Sequence, residues 1–257
     1  FFLLVSNMEK AMSLSVKQLK QILSQRGVDI SDCLEKSDLA KKYVETCRTV
    51  GKVYTRTTKV GDLNCTVLDK EGEDSSSRIG IILMHGYGAN RHDLLPFMNG
   101  LLQNYTSPSK STIRCILPDA PIPIDGNSSS LAWFPLNIIQ LATTPPPQLA
   151  EMTLPGLNEA CEKVKQLVKN LQEDGFDRIV LSGFSQGAIL SAHTAFHLED
   201  HSSIRGLVLL SCAVQARGEW EEAAKKFSGV KVLLSHGKGD PIIPYSMGEM
   251  VNSILKK

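Results

Sequence analysis

The sequence lacks the long apolar runs of a membrane protein. No stretch approaches the ~18 consecutive apolar residues that a transmembrane helix needs. The opening "FFLLVS" is too short for the core of a signal peptide, and no small-residue cleavage site follows it. These absences predict a protein without a transmembrane segment and favour the cytoplasm over secretion.

Net charge and paired cysteines are also scarce. A formal net charge of +1 over 257 residues gives no reason to expect a polyanionic partner for the whole molecule. The 6 cysteines are scattered, with no C-x-x-C pair and no cysteine–histidine spacing that suits a metal ion. We expect reduced thiols, as in cytosolic proteins. The length and the hydrophobic fraction of 42% suit one large globular domain with a small appendage.

The first periodic segment, residues 14–48, predicts two short helices joined by an extended linker. Ser15 and Gln18 have the spacing of a capping box. Gly27 suits a left-handed C-cap, and Ser37 can cap the second helix. Each helix has one apolar face, formed in the first by Val16, Leu19, Ile22 and Leu23 and in the second by Leu39, Tyr43, Val44 and Cys47. This pattern resembles SAP-type helix–loop–helix modules, similar to those appended to some ubiquitin ligases.

Some SAP modules bind DNA, so the charge of this segment matters. Residues 15–48 carry 7 basic and 5 acidic side chains, without the clustered basic face that phosphate neutralisation needs. We therefore expect contact with a protein partner or a purely structural role, and we do not favour nucleic-acid binding.

From residue 52 to residue 257, short β-branched runs alternate with helical stretches. Strands are expected at residues 79–86, 112–121, 178–185, 206–212 and 229–237, and helices near residues 155–173, 187–199 and 217–227. Nearly continuous apolar strands are typical of parallel sheets. The alternation predicts an α/β fold with a doubly wound, mostly parallel sheet and a site outside the carboxyl ends of its strands. Residues 126–148 interrupt the rhythm, as a substrate lid or acyl pocket would.

The stretch "IVLSGFSQGAIL" (residues 179–190) contains the G-x-S-x-G pattern of a nucleophile elbow, with a strand before it and a helix after it. Gly183 and Gly187 are small enough for the strand and the helix to approach closely. The hydroxyl of Ser185 is then raised above the sheet, at the positive end of the helix. We predict that Ser185 is a nucleophile.

A nucleophile of this kind needs two backbone N–H groups that stabilise an oxyanion. Gln186, directly after the serine, is the first candidate donor. The second is Tyr87 in "HGYG", which follows a buried strand and whose flanking Gly86 and Gly88 let amides point inward. His85 opens this loop, and we interpret it as a residue that orients the loop and not as a catalytic one.

Five motifs occur in order along the chain: "HGYGAN", "LPDAP", "AWF", "SGFSQGA" and "HGKGDPIIP". Together they resemble the phospholipase/carboxylesterase family that includes acyl-protein thioesterases, over about residues 60–257. The resemblance implies an α/β-hydrolase fold and hydrolysis of acyl esters or thioesters, with no metal and no cofactor. An acyl ester or an acylated protein would be the substrate. It also implies that Asp240 is the acid of a catalytic triad and that Trp133 and Phe134 line the substrate side.

The triad of this fold runs Ser, Asp, His along the chain, yet no histidine follows Asp240. His85 and His236 lie near strand ends, but we do not expect either to replace the missing base. Two interpretations stay open. In the first, the sequence is truncated inside the helix that precedes the final strand, since omitting that strand would leave a sheet edge uncovered. In the second, a short form keeps the pocket as a catalytically dead binding or interaction protein.

Overall fold

The computed structural model describes residues 2–25, 28–47, 52–72, 74–105, 111–225, 227 and 229–256. Within these residues the helices are α1 (Phe2–Ser13), α2 (Val16–Gln25), α3 (Lys36–Cys47), α4 (Leu95–Asn104), α5 (Ile138–Thr143), α6 (Pro146–Glu151), α7 (Leu157–Glu173), α8 (Gln186–His197), α9 (Arg217–Ala224) and α10 (Tyr245–Leu255). The strands are β1 (Val53–Val60), β2 (Leu63–Lys70), β3 (Asp74–Met84), β4 (Ser111–Pro118), β5 (Ile122–Ile124), β6 (Asn127–Ala132), β7 (Arg178–Phe184), β8 (Ile204–Leu210) and β9 (Lys231–Ser235).

Helices α1 to α3 pack around a small core of their own. The capping box at the start of α2 is confirmed: the backbone N–H of Ser15 donates to Gln18 Oε1 at 2.9 Å, and the N–H of Gln18 donates to Ser15 Oγ at 3.2 Å. The buried residues of this core are Ala11, Leu19, Leu23, Leu39, Ala40, Tyr43 and Val44. Helix α1, which the sequence analysis missed, belongs to this unit through Ala11.

Two details of the predicted helices were wrong. Ser37 does not cap α3, because the helix already begins at Lys36; Asp38 Oδ2 instead accepts the backbone N–H groups of Leu34 and Glu35. Val16 is 43% exposed, since it lies at the first position of α2 outside the packed face. The expected C-cap at Gly27 and the side chain of Cys47 lie outside the described residues.

The sheet has the strand order β1-β2-β4-β3-β7-β8-β9. Strands β3, β4, β7, β8 and β9 pair in parallel, as the sequence predicts. The sequence analysis did not predict β1 and β2, which form an antiparallel hairpin that joins the sheet at β4. The result is the mostly parallel α/β-hydrolase sheet, with the carboxyl ends of β3, β7, β8 and β9 along one edge.

Both faces of the sheet are covered by helices, because successive residues of a strand point to opposite sides. In β3, Ile82 and Met84 enter the larger core, whose helical side includes α7 and α8, whereas Leu83 enters a second core with Met98 and Leu102 of α4. Burial on both faces explains why these strands are apolar almost throughout.

The segment between β4 and α7 contains more regular structure than the sequence suggested. Strands β5 and β6 form a separate antiparallel pair, joined at Asp125 and Gly126, which both have positive φ. The short helices α5 and α6 follow. At the far side of the main sheet, β9 pairs only with β8 among the described strands, and Val232 and Leu233 are 39% and 59% exposed.

The search for a membrane-crossing helix covered only the described residues. Among them, no helix is both long enough and apolar enough to cross a bilayer. The five cysteines whose side chains are described, residues 33, 65, 115, 161 and 212, are unpaired.

Candidate active site

Ser185 lies at the sharp turn between β7 and α8. Its φ of 52° and ψ of −115° fall in a region that residues with a Cβ rarely occupy, at a cost of about 1–3 kcal/mol. The backbone N–H of Ser185 donates to the carbonyl oxygen of Leu210 at 2.8 Å, so the turn continues the pairing of β7 with β8. Such a bend presents the serine side chain at the carboxyl edge of the sheet, half-buried and directly before the first turn of α8.

The glycines beside Ser185 are required by close backbone contacts. A Cβ on Gly183 would lie 2.3 Å from the carbonyl carbon and oxygen of Gly187. A Cβ on Gly187 would lie 2.3 Å from the carbonyl oxygen of Met84. The start of α8 therefore packs directly onto the ends of β7 and β3, which is the close approach that the G-x-S-x-G pattern indicates.

The loop after β3 runs beside this turn. A Cβ added to Gly86 would lie 3.5 Å from the Cβ of Ser185. The loop is held by β6: the N–H of Gly88 donates to the carbonyl of Leu131 at 2.9 Å, and the N–H of Leu131 donates to the carbonyl of Ala89 at 2.9 Å. Tyr87 lies between these fixed points. Its backbone N–H has no acceptor among the described residues.

His85 is buried and stabilises the loop that follows β3. Its Nδ1 lies 2.8 Å from the carbonyl oxygen of Gly86 and so donates to it, while Nε2 accepts the backbone N–H of Ala120 at 3.1 Å. Burial lowers the pKa of His85, which keeps the imidazole neutral. Because both ring nitrogens are engaged, His85 has no lone pair free to accept a proton from Ser185.

The side chain of Gln186 ties the turn to the segment after β6. It is fully buried; its Oε1 accepts the backbone N–H of Trp133 at 2.9 Å, and its Nε2 donates to the carbonyl of Phe134 at 2.7 Å. The indole N–H of Trp133 in turn donates to the carbonyl of His85 at 3.0 Å. One buried network thus connects the residue after Ser185 with the Tyr87 loop.

The backbone N–H of Gln186 is separate from these side-chain bonds. As the first residue of α8 it has no intrahelical acceptor. Like the N–H of Tyr87, it has no acceptor among the described residues. That these two N–H groups stabilise an oxyanion stays a prediction. Trp133 and Phe134 are 1% and 0% exposed, so their observed contacts are structural. Their predicted contact with substrate stays a prediction.

Asp240 lies in the loop after β9. Its Oδ1 accepts the backbone N–H groups of Ile242 and Ile243, each at 3.0 Å. Burial alone would raise the pKa of Asp240, but these two N–H groups, the Ser211 hydroxyl and the nearby His236 outweigh it, and the pKa falls below its ordinary value of 3.8. Asp240 is therefore an ionised carboxylate at neutral pH, which the acid of a triad must be.

The six histidines of the chain all lie in the described residues, and none of them hydrogen-bonds to Ser185. His236 is near Asp240, with 3.7 Å between Nε2 and Oδ2, but its Nε2 lies 2.9 Å from the carbonyl of Ile243 and donates to it. Its Nδ1 faces Gly248 of α10, 2.7 Å from where a Cβ of that glycine would be. His236 thus braces the Asp240 loop against α10.

Sequence reasoning missed Ser211, which follows β8 between the Ser185 turn and the Asp240 loop. It has a positive φ of 52°, its N–H donates to the carbonyl of Ser235 at 2.8 Å, and its hydroxyl helps to lower the pKa of Asp240. The available signal was its position: a serine directly after an apolar strand, at the edge where the other site residues lie.

A groove of about 370 Å³ runs along the segment that follows Phe134. It is lined mainly by apolar side chains, among them Leu136, Leu141, Met152 and Leu154. Residues 135–141 of its lining belong to the segment 126–148, which the sequence analysis expected to form a lid or an acyl pocket, whereas residues 152–155 lie beyond that segment.

The sequence profile of the Phospholipase/Carboxylesterase family matches residues 70–257. The chain belongs to this family. Among curated phospholipase/carboxylesterase relatives, the acyl-protein thioesterase 1 of Candida albicans is 29% identical over 196 residues, which cover 71% of this chain and 79% of that protein. The acyl-protein thioesterase 1 of Debaryomyces hansenii is 26% identical over 189 residues, covering 70% and 78%.

Solved structures agree with the α/β-hydrolase fold of the phospholipase/carboxylesterase domain. Esterase PE8 has a TM-score of 0.53 and 20% identity, covering 80% of this chain and 84% of its own. Acyl-protein thioesterase 2 of Zea mays has a TM-score of 0.52 and 21% identity, covering 74% and 83%.

Outside this domain, residues 5–47 match the profile of an E3 ubiquitin-protein ligase rififylin-like domain. The match covers helices α1 to α3. The SAP-like character of the module and its role towards a protein partner stay predictions.

Proposed function

We propose that this protein hydrolyses carboxylic esters or thioesters through an acyl-enzyme on Ser185. The observation that carries this function is the turn itself: Ser185 is a non-glycine residue at φ 52° and ψ −115°, and the neighbouring Gly183 and Gly187 have no room for a Cβ. Backbone strain of this kind persists where the surrounding structure holds it in place, and it clusters at functional sites.

In the proposed reaction, Ser185 Oγ attacks the acyl carbonyl carbon while its proton passes to a histidine base. The carbonyl oxygen becomes an oxyanion and accepts hydrogen bonds from the N–H groups of Tyr87 and Gln186. The base returns the proton to the departing alcohol or thiol. Water, deprotonated by the same base, then releases the carboxylic acid and restores the serine. Asp240, ionised by its hydrogen bonds, would orient and stabilise the charged imidazole.

The proposed reaction needs a histidine base, but none of the six described histidines is hydrogen-bonded to Ser185. His85 is neutral with both nitrogens bonded, and His236 donates to the Ile243 carbonyl. We propose that the base is a histidine following Asp240 in a longer form of the protein, which keeps the Ser, Asp, His order of this fold.

The groove beyond Phe134 supports the proposed substrate class, although Ser185 is not among its lining residues. Its apolar lining and volume of about 370 Å³ suit an acyl chain better than a charged group. The proposed substrates are therefore acyl esters or acylated proteins. Chemistry of this type uses main-chain N–H groups and side chains, without a metal or a cofactor.

The alternative is a hydrolase-fold protein that binds acyl groups without turnover. It is favoured by one observation, the absence of any histidine hydrogen-bonded to Ser185 in this chain. The α1–α3 module would then bring a protein partner to an acyl-binding body.

A fluorophosphonate probe and 4-nitrophenyl acetate separate the two functions. In a form extended beyond Lys257, we expect labelling of Ser185 and hydrolysis that both vanish in Ser185→Ala. In residues 1–257 we expect feeble labelling. At best, the oxyanion donors would leave ester hydrolysis about 10³-fold faster than in water. An extended form that binds a fatty acid but neither reacts with the probe nor turns over ester would support the binding protein. Strong labelling of residues 1–257 would show that another group serves as the base.

A further inference from the structure

Two histidines of α8 and one glutamate of α9 form a cluster away from Ser185. His193 and His197 are four residues apart on α8, so they share one face of the helix. Their rings stack with centroids 4.0 Å apart and planes at 28°. Glu219, near the start of α9, completes the group, and the ligand atoms of the three residues all lie within 4.8 Å of one another.

We propose that His193, His197 and Glu219 form a binding site for a divalent transition-metal ion of the zinc class. Two imidazole nitrogens and one carboxylate oxygen are a ligand set that Zn²⁺ takes with tetrahedral geometry, the fourth position being filled by water. Mg²⁺ and Ca²⁺ prefer sites built from oxygen alone, so imidazoles disfavour them.

The hydrogen bonds of His197 already have the arrangement of a metal ligand. Its Nδ1 lies 2.7 Å from the carbonyl oxygen of His193 and donates to it. Its Nε2 faces Glu219 Oε1 at 2.6 Å. A metal ion would bind between these two groups, with Nε2 and the carboxylate as two of its ligands.

The tautomer of His193 is set in the same way. Its Nε2 donates to Asn158 Oδ1 at 2.8 Å, which leaves the lone pair on Nδ1. A histidine that binds metal through one nitrogen usually donates from the other to a carbonyl or carboxylate oxygen, and the amide oxygen of Asn158 serves here. The competitor for Nδ1 is the indole N–H of Trp220, at a long 3.3 Å. Metal binding must displace this weak bond.

The cluster is reachable from solvent on one side. The side chains of His197 and Glu219 are 27% and 50% exposed, whereas His193 is only 4% exposed. A metal ion could enter past Glu219 and would then link α8 to α9. The two histidines lie about two and about three helical turns from Ser185 along α8. The site is thus separate from the proposed reaction, and the metal would act by stiffening the helix that begins at the nucleophile.

The test uses residues 1–257 freed of metal with a chelator. Zn²⁺ is titrated in competition with a chromophoric chelator, and Co²⁺ is titrated while its visible absorption is recorded, because tetrahedral Co²⁺ absorbs strongly. We expect one ion per chain, a rise in Tm with added Zn²⁺, and quenching of Trp220 fluorescence by Cu²⁺. His197→Gln and Glu219→Gln should each weaken Zn²⁺ binding more than about 10-fold. Removing an outer-shell partner alone typically weakens metal binding about 10-fold or more, and a direct ligand should matter more.

Two controls keep the result specific. His92→Gln removes an exposed loop histidine, and Glu222→Gln removes an exposed α9 carboxylate that bonds only to Lys225. Neither should change Zn²⁺ affinity. Far-ultraviolet circular dichroism checks that the variants are folded, which is expected because His197 and Glu219 are partly exposed. Failure to bind one Zn²⁺ per chain, or equal binding by wild type and both ligand variants, would overturn the site.

Discussion

The buried amide of Gln186 offers the sharpest test of how the site is held. In Gln186→Ala, the Trp133 N–H and the Phe134 carbonyl would both lose their partners without gaining access to water. Each buried group left unsatisfied costs about 1–3 kcal/mol, so the hydrogen bonds alone predict a loss of about 2–6 kcal/mol in the free energy of unfolding. The cavity left by the side chain adds to this.

Gln186→Met separates the two contributions, because methionine fills nearly the same volume without bonding to either group. We expect Gln186→Met to lower the free energy of unfolding by most of the amount that the hydrogen bonds contribute, with little further loss from a cavity. Gln166→Ala, on the exposed side of α7, is the matched control and should lie within about 0.5 kcal/mol of wild type. Unfolding is followed in urea by tryptophan fluorescence, since both tryptophans lie outside the α1–α3 module. If Gln186→Met were as stable as wild type, the bonds to Trp133 and Phe134 would not hold the turn.

Three further outcomes follow from the described contacts. Ser185→Gly should be more stable to urea than Ser185→Ala by about 1 kcal/mol, because relief of strain exceeds the entropy cost of glycine; the reverse order would deny the strain. Asp240→Asn should be less stable than wild type above pH ~4, with the difference shrinking as pH falls through the lowered pKa of Asp240; a difference independent of pH would contradict this. Leu233→Lys on the exposed β9 edge should reduce self-association in light scattering, and unchanged scattering would argue against edge pairing.

The main strands and helices could be predicted because each carries its own local signal. Strands β3, β7 and β8 are apolar throughout since both faces of the sheet are covered, and α7 and α8 follow with helical periodicity. The Ser185 turn was predictable because its glycines are demanded by backbone contacts within a few residues. The structural interpretation of His85 also agrees with its two observed hydrogen bonds.

Features that depend on distant partners could not be predicted in this way. The side-chain amide of Gln186 bonds to residues more than fifty positions earlier, and no local sequence pattern around Gln186 indicates these partners. Ser211 acquires its role only when the Asp240 loop folds beside it. Helix α1 was not predicted, because its apolar start was considered only as a possible signal-peptide core. For β1, short polar alternation gave too weak a signal without its partner β2.

The anchoring of the segment after β6 has a consequence for how a ligand could enter. Its near end is fixed at Phe134 by Gln186, and its far end is fixed where the Ala216 N–H donates to the carbonyl of Met152 at 2.9 Å. Farther along the segment, Leu141, Leu149 and Ala150 are buried in the larger core, so opening should be confined to residues 135–140. Such a movement would widen the groove, which residues 135–137 and 140 help to line, while the bonds between Gln186 and Trp133 stayed in place. Admission of a bulky guest then need not disturb the geometry of attack.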